Sequence, residues 1–309
     1  MAKGWTAAEM PRVEGKRIVV TGANSGIGYD AAAELARGGA EVVLACRNTK
    51  KGDEALAALV KAVGGDVAGR VRVMALDLSS LASVRAFAAA LRGVWADGFD
   101  VLINNAGVMA LPLSRTEDGF EMQIGTNHLG HFALTGLVLD LIRPGGRVVN
   151  VSSMAHQMGT IRLNDLNWEK TYSRFGAYAQ SKLANLLFTF ELERKLKAAN
   201  KQVSSVACHP GYSATNLGTA PVSGIPFGNA MKEIANKLMA QPSEMGALPT
   251  LYAAVMPDVA GGDYIGPDGF REIKGYPTKV KARPTAHDAA VAAKLWALSE
   301  QLTKVSYAI

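Results

Sequence analysis

The sequence predicts an α/β protein: one doubly wound domain, spanning residues 1–309, in which a parallel sheet of seven strands carries helices on both faces. Three observations lead there. Short β-branched runs alternate with helical patterns from Arg17 to Gly266. The first run enters a glycine-rich turn at 21–28 and a helical pattern follows at once, the strand–turn–helix setting of a dinucleotide-binding crossover. No internal repeat, low-complexity tract or linker divides the 309 residues into two units.

R-I-V-V-T at 17–21 reads as a buried strand. The helix after the turn carries Ala31, Ala32, Ala33, Leu35 and Ala36, and Gly38 and Gly39 close it. E-V-V-L-A-C at 41–46 is the second strand, and 51–63 a second helix ending at Gly64 and Gly65. V-R-V-M-A-L-D-L at 71–78 is the third strand, with Ser79 or Ser80 capping a helix through Leu91. V-L-I-N-N-A-G at 101–107 is the fourth strand and its turn. A long helical pattern runs from about 120 to 142 and stops at Pro144-Gly145-Gly146, before the fifth strand at 147–153. Residues 154–176 have no clear period and carry Trp168, Tyr172 and Phe175. A helix at 177–198 and a sixth strand at 202–208 follow. Residues 212–241 are rich in Gly, Pro, Ser and Thr, with a short helix at 229–239. A helix at 243–255 and a last short strand at 262–266 complete the sheet, and the extension at 267–309 ends in a helix at 287–302.

Composition excludes several classes. Hydrophobic residues make up 49% and charged residues 19%, as in an ordered globular protein. The net charge of +6 comes without a basic cluster interleaved with aromatics, so nucleic acid is not expected as a partner. Cys46 and Cys208 lie in apolar strand runs and read as buried thiols, not as a disulfide framework. The first 16 residues are polar and lack the apolar core of a signal peptide, and the apolar stretch at 132–142 is broken by Asp140. A soluble cytoplasmic protein with no membrane span is the expectation.

The chemistry is carried by short constellations. Gly22, Gly26 and Gly28 are spaced G-x-x-x-G-x-G, which allows a tight turn and lets backbone N–H groups and a helix N-terminus approach a pyrophosphate. No GK[ST] follows, so the turn is not a P-loop. Tyr178 and Lys182 in Y-A-Q-S-K stand four apart, one turn along a helix face. A phenol of pKa about 10 is a poor proton donor or acceptor near neutrality, and a nearby ammonium favours the phenolate. His128 and His131 also share a face, but no Cys or carboxylate completes a metal set, and no metal is expected.

T-G-A-N-S-G-I-G at 21–28, N-N-A-G at 104–107, Y-A-Q-S-K at 178–182 and H-P-G at 209–211 occur in the order and at the elements of the short-chain dehydrogenase/reductase family, which this sequence resembles over about 15–266. The runs V-L-A-C-R-N, T-N-H-L-G-H-F, V-V-N-V-S-S and S-K-L-A-N-L-L-F are similar to its retinol dehydrogenase and protochlorophyllide reductase branch. The resemblance implies a Rossmann domain and a proton relay of Asn127, Ser153, Tyr178 and Lys182. Ser153 would orient the reacting oxygen; pleat alternation should send its rival Ser152 to the other face. Tyr178 would be the general acid or base. Lys182 would lower the pKa of Tyr178 and hold the nicotinamide ribose, and Asn127 would position a relay water. Gly22, Asn24, Ser25, Gly26, Ile27 and Gly28 would line the phosphates. Asp77 and Leu78 would meet adenine, Asn105, Ala106 and Gly107 its ribose, and Pro210, Gly211 and Thr215 the carboxamide end of nicotinamide.

Cofactor choice follows from residues 45–48, which read A-C-R-N where an NAD site usually has an acid. Arg47, with Asn48 beside it, matches a 2′-phosphate, so NADP(H) is expected over NAD(H). Trp168, Tyr172, Phe175, Phe227, Met231 and Met239 would make an apolar substrate pocket, with 212–241 as a mobile lid.

The expected activity is hydride transfer between NADP(H) and an alcohol or carbonyl group (ketone or aldehyde) of an apolar or bulky substrate, reduction of a conjugated C=C being a minor variant. The alternative is an NADPH-binding sensor without turnover. Sensors on this fold often lack the Tyr or Lys that this chain retains. The inserted segments and cysteines of protochlorophyllide reductases are not matched, and neither branch's substrate is transferred. Helices carrying Asn127 and Tyr178 often pair between subunits in this family, which leaves a homo-oligomer open.

Overall fold

The computed structural model describes residues 4–65, 67–212 and 241–309. Its strands are β1 (Arg17–Thr21), β2 (Glu41–Cys46), β3 (Val71–Ala75), β4 (Phe99–Asn104), β5 (Ile142–Val151), β6 (Val203–Cys208), β7 (Tyr264–Pro267) and β8 (Pro277–Lys279). They form one sheet in the order β3-β2-β1-β4-β5-β6-β7-β8. The first seven are parallel; β8 runs antiparallel to β7, with Ile265 opposite Lys279. The seven expected strands are thus present with one more at the edge. P-T-K at 277–279 has neither alternation nor a β-branched run, and only its pairing with β7 makes it a strand.

The main helices are α1 (Gly26–Arg37), α2 (Thr49–Val63), α3 (Leu81–Val94), α4 (Met122–Ile124), α5 (Gly130–Val138), α6 (Arg174–Ala198), α7 (Ser243–Val255) and α8 (Ala289–Thr303). They cover both faces, as pleat alternation in β1 requires. Ile18 and Val20 pack with Ala31 and Leu35 of α1 and Leu251 of α7. Val19 faces the other way, toward Phe87 of α3, Phe132 of α5 and Leu192 of α6. The C-terminal segment seals the second layer: Trp296 and Tyr307 pack on Phe132 and Phe188, and the Tyr307 hydroxyl donates to the Phe132 carbonyl at 2.6 Å. Among the described residues no helix is long and apolar enough to cross a membrane.

Two boundaries matter for the site. The helical pattern expected from 120 to 142 is broken. After α4, a wider π-type turn over Gly125–Leu129 precedes α5, and the helix ends at Val138. Helix α6 starts at Arg174, three residues earlier than its apolar pattern suggests. Ser173 caps it, its hydroxyl accepting from the Gly176 N–H at 3.1 Å.

Candidate active site

A cleft of about 620 Å³ opens at the carboxyl ends of the parallel strands, where the order reverses between β1 and β4. Its volume falls within the roughly 300–1,000 Å³ usual for cofactor and small-molecule sites. The glycine turn forms one end: Gly22, Asn24, Ser25, Gly26, Ile27 and Gly28 all line it. Gly22 and Gly26 have φ of +67° and +55°, which a side chain would strain. A Cβ on Gly28 would stand 2.4 Å from Asn105 Nδ2 and 2.6 Å from the Gly22 carbonyl oxygen. Ser25 occupies the N-cap of α1 without a side-chain cap bond. The helix N-terminus and the turn therefore make the kind of cradle that suits an anion. Asn105, Ala106 and Gly107 continue the wall after β4, and Arg47, Asp77 and Leu78 stand at the ends of β2 and β3. Asp77 has one carboxylate oxygen engaged by the Ser79 N–H at 2.9 Å and hydroxyl at 2.6 Å.

Tyr178, Lys182 and Ser153 converge on the cleft, with Pro210 and Gly211 beyond them. Helix α6 buries both Tyr178 and Lys182, and the Lys182 ammonium lies 5.8 Å from the centre of the Tyr178 ring. Lys182 Nζ donates to the Val151 carbonyl at 3.1 Å. Burial pushes the Lys182 pKa down to about 8. Burial also raises the Tyr178 phenol above its usual value, opposed by a hydrogen-bond contact from Ser153. Desolvation is the largest cause for Tyr178, so its net shift is upward, opposite in direction to the expected lowering. Ser153 is held by the turn it opens: its hydroxyl accepts from the Ala155 N–H at 3.2 Å, and its carbonyl lies 2.7 Å from His156 Nδ1. Arg283, from the C-terminal extension, clamps the end of that turn by donating to the carbonyls of Gln157 and Gly159 at 2.6 and 2.9 Å.

Asn127 does not line the cleft. It stands fully buried behind the wall. Its Oδ1 accepts from the Val108 N–H at 2.8 Å, and its Nδ2 donates to the Val108 carbonyl and to Ser181 Oγ, both at 2.9 Å. Asn48 is also outside the wall. It caps α2, its side chain accepting from the Lys51 N–H at 3.0 Å. Thr215, the expected helix at 229–239, and Phe227, Met231 and Met239 lie outside the described residues.

Both serines border the cleft. Ser153 makes the hydrogen-bond contact with Tyr178, whereas the Ser152 side chain is turned to the backbone of α6. Ser152 Oγ donates to the Lys182 carbonyl at 2.8 Å. Trp168 and Tyr172 do not line the cleft either; Tyr172 donates to the Leu111 carbonyl at 2.9 Å and Trp168 lies under the Arg162 guanidinium. The apolar surface comes instead from Val108, Met109, Leu111 and Tyr212, in loops without a period to single them out. Histidines 128 and 131 are buried in hydrogen bonds, and burial pushes their pKa values down to about 3 and about 4.

Comparison with known proteins bears on this geometry. Residues 16–223 match the family described as short chain dehydrogenase. The chain is 42% identical over 297 residues to retinol dehydrogenase 13 of Homo sapiens, covering 94% of this chain and 85% of that protein. Among solved structures, an uncharacterized protein from Mycobacterium paratuberculosis aligns with a TM-score of 0.82 at 48% identity, over 99% of this chain and 100% of that one. A blue fluorescent protein from a metagenomic library, solved in complex with NADPH, aligns with a TM-score of 0.62 at 25% identity, over 82% of this chain and 96% of that one.

Proposed function

The chain belongs to the short chain dehydrogenase family as an oxidoreductase acting on CH–OH groups, and we propose that it interconverts an apolar alcohol and its carbonyl compound using NADP(H). The observation that carries this reading is the convergence of Ser153, Tyr178 and Lys182 on a cleft whose far end is the glycine cradle. When bound, the nicotinamide supplies or accepts the hydride.

The residues supply everything else. In reduction, the Tyr178 hydroxyl gives its proton to the oxygen that becomes an alkoxide as hydride arrives at carbon; in oxidation the phenolate takes that proton back. A phenol is protonated at neutral pH, the form needed to donate, and burial acts in the same direction. The Ser153 hydroxyl donates a hydrogen bond to the same oxygen and stabilises its developing charge. Lys182 holds the ribose hydroxyls beside Tyr178 and favours the phenolate in the oxidative direction. Asn127 acts from behind the wall, holding the loop at Val108, which lines the cleft. Gly22, Asn24, Ser25, Gly26, Ile27 and Gly28 hold the pyrophosphate, with Asp77, Leu78, Asn105, Ala106 and Gly107 along the adenosine, and Pro210, Gly211 and Thr215 at the carboxamide.

NADP(H) is favoured because Arg47 stands at the end of β2 with no acid from 45 to 48, and a guanidinium matches a 2′-phosphate bidentately. The NADPH-bound neighbour supports the same choice. Val108, Met109, Leu111 and Tyr212 favour an apolar substrate, and the name of the human relative makes retinol the first alcohol to try. The test follows NADPH absorbance with a panel of aldehydes, ketones and quinones, and NADP⁺ with retinol, beside Tyr178→Phe. Turnover should fall about 10²–10⁴-fold in the variant while NADPH still binds. Undiminished turnover in the variant would remove Tyr178 from the mechanism. Tight NADPH binding with no turnover of any compound would favour a sensor.

A further inference from the structure

Building on that functional reading, we propose that His131 is a positioning residue: it ties the carbonyl of Asn127 to the hydroxyl of Thr21 and so sets where the loop 105–108 stands against the cofactor. His131 is buried on α5, one turn after Asn127. Its Nδ1 lies 3.0 Å from the Asn127 carbonyl oxygen and its Nε2 lies 2.9 Å from Thr21 Oγ1. A carbonyl only accepts, so Nδ1 carries the proton and Nε2 is bare. Thr21 Oγ1 already accepts from the N–H groups of Asn105 and Ala106, both at 2.9 Å. Its own hydrogen is therefore available to Nε2, the Ile103 carbonyl at 3.4 Å being the weaker acceptor. The neutral Nδ1–H tautomer satisfies every one of these groups. Burial holds His131 in the neutral form, and the charge of Lys182 on α6 acts in the same direction. His128, its neighbour on the preceding turn, is itself kept neutral by burial.

These contacts close a ring. Thr21 pins the loop at Asn105 and Ala106, and Asn127 pins it at Val108 from both sides. His131 is the strut between the two pins. The wide turn at Gly125–Leu129 carries Asn127 to that position; there the backbone bonds reach five residues back, from the Gly130 N–H to the Gly125 carbonyl. The tolerance is small, since a Cβ on Gly107 would stand 3.3 Å from Asn127 Oδ1 and 3.5 Å from Lys182 Nζ. A shift of Asn127 therefore reaches the loop that borders both the glycine cradle and the Tyr178–Lys182 pair.

The experiment uses the full chain and three variants. His131→Phe keeps the shape and loses both bonds. His131→Asn keeps a donor near Nδ1 but is too short for Thr21, and His131→Gln reaches Thr21 but places no donor at Nδ1. NADPH affinity by fluorescence, and kcat and KM separately, are measured for each. Nitrogen-15 NMR of the wild type reports the tautomer. His131→Phe should weaken NADPH binding and lower kcat by about tenfold each, as expected for a lost buried hydrogen bond. Asn should restore kcat more than affinity, and Gln the reverse. Wild-type His131 should stay in the neutral Nδ1–H form from about pH 5 to about pH 8. A folded His131→Phe with affinity and kcat within about twofold of wild type would overturn the proposal, as would a charged or Nε2–H imidazole. If the Phe variant does not fold, the Asn and Gln variants and the tautomer decide. Wild-type protein that neither binds nor oxidises NADPH would overturn the functional reading instead, while the tautomer would still test the strut.

Discussion

Replacing Lys182 by Met should abolish turnover and make the cofactor-free protein more stable. Lys182 is 4% exposed, and burial lowers its pKa from 10.5 to about 8. Keeping the ammonium charged in that setting at neutral pH costs about 3 kcal/mol, at roughly 1.4 kcal/mol per pKa unit. Met fills much of the same space without the charge. The bond lost is the one from Nζ to the Val151 carbonyl, and that oxygen keeps a second donor, Asn185 Nδ2 at 3.2 Å. No buried acceptor is orphaned, so about 2–3 kcal/mol of net stabilisation should remain at pH 7. The pH dependence fixes the origin of the gain. The unfolded lysine holds its proton to pH 10.5, whereas the folded one releases it near 8. The penalty is therefore complete below about pH 8, shrinks as pH rises, and disappears above about 10.5. Urea unfolding of both proteins across this range measures it. A variant less stable than wild type at pH 7, or a gap that does not change with pH, would refute the reasoning by showing the ammonium to be solvated or paired in the fold.

Other consequences are simpler to test. Gly28→Ala forces a Cβ against Asn105 Nδ2 and the Gly22 carbonyl; stability should fall by about 1–3 kcal/mol and NADPH affinity with it, measured by urea unfolding and fluorescence titration. Arg47→Ala should weaken NADPH binding about tenfold and leave NADH nearly unchanged, since only the former offers a 2′-phosphate; equal effects on both would place Arg47 elsewhere in the site. Arg283→Ala removes the clamp on the turn after Ser153; stability should fall by about 1–2 kcal/mol, and kcat should drop more than substrate KM rises. Unchanged kcat would mean that the turn holds Ser153 without the C-terminal extension.

Much of this protein is written locally in its chain. Strand and helix alternate because β-branched runs and 3.6-residue patterns do, and neither needs knowledge of distant residues. Gly22 and Gly26 announce positive φ, and Tyr178 and Lys182 announce one helix face, by spacing alone. Whatever depends on what the chain folds over was not legible. Asn127 sits behind the wall because a wide turn interrupts its helix, and Asn48 is a cap because α2 begins one residue later. β8 exists only through β7, and the apolar lining from Met109, Leu111 and Tyr212 comes from loops brought together by the sheet. The sign of the Tyr178 shift was also a tertiary matter. Spacing places a cation one turn away, but burial removes water from both groups, and in this fold desolvation is the largest cause of both shifts. Local geometry is set by neighbours in sequence; solvation, and with it the strength of every charge in the cleft, is set by neighbours in space.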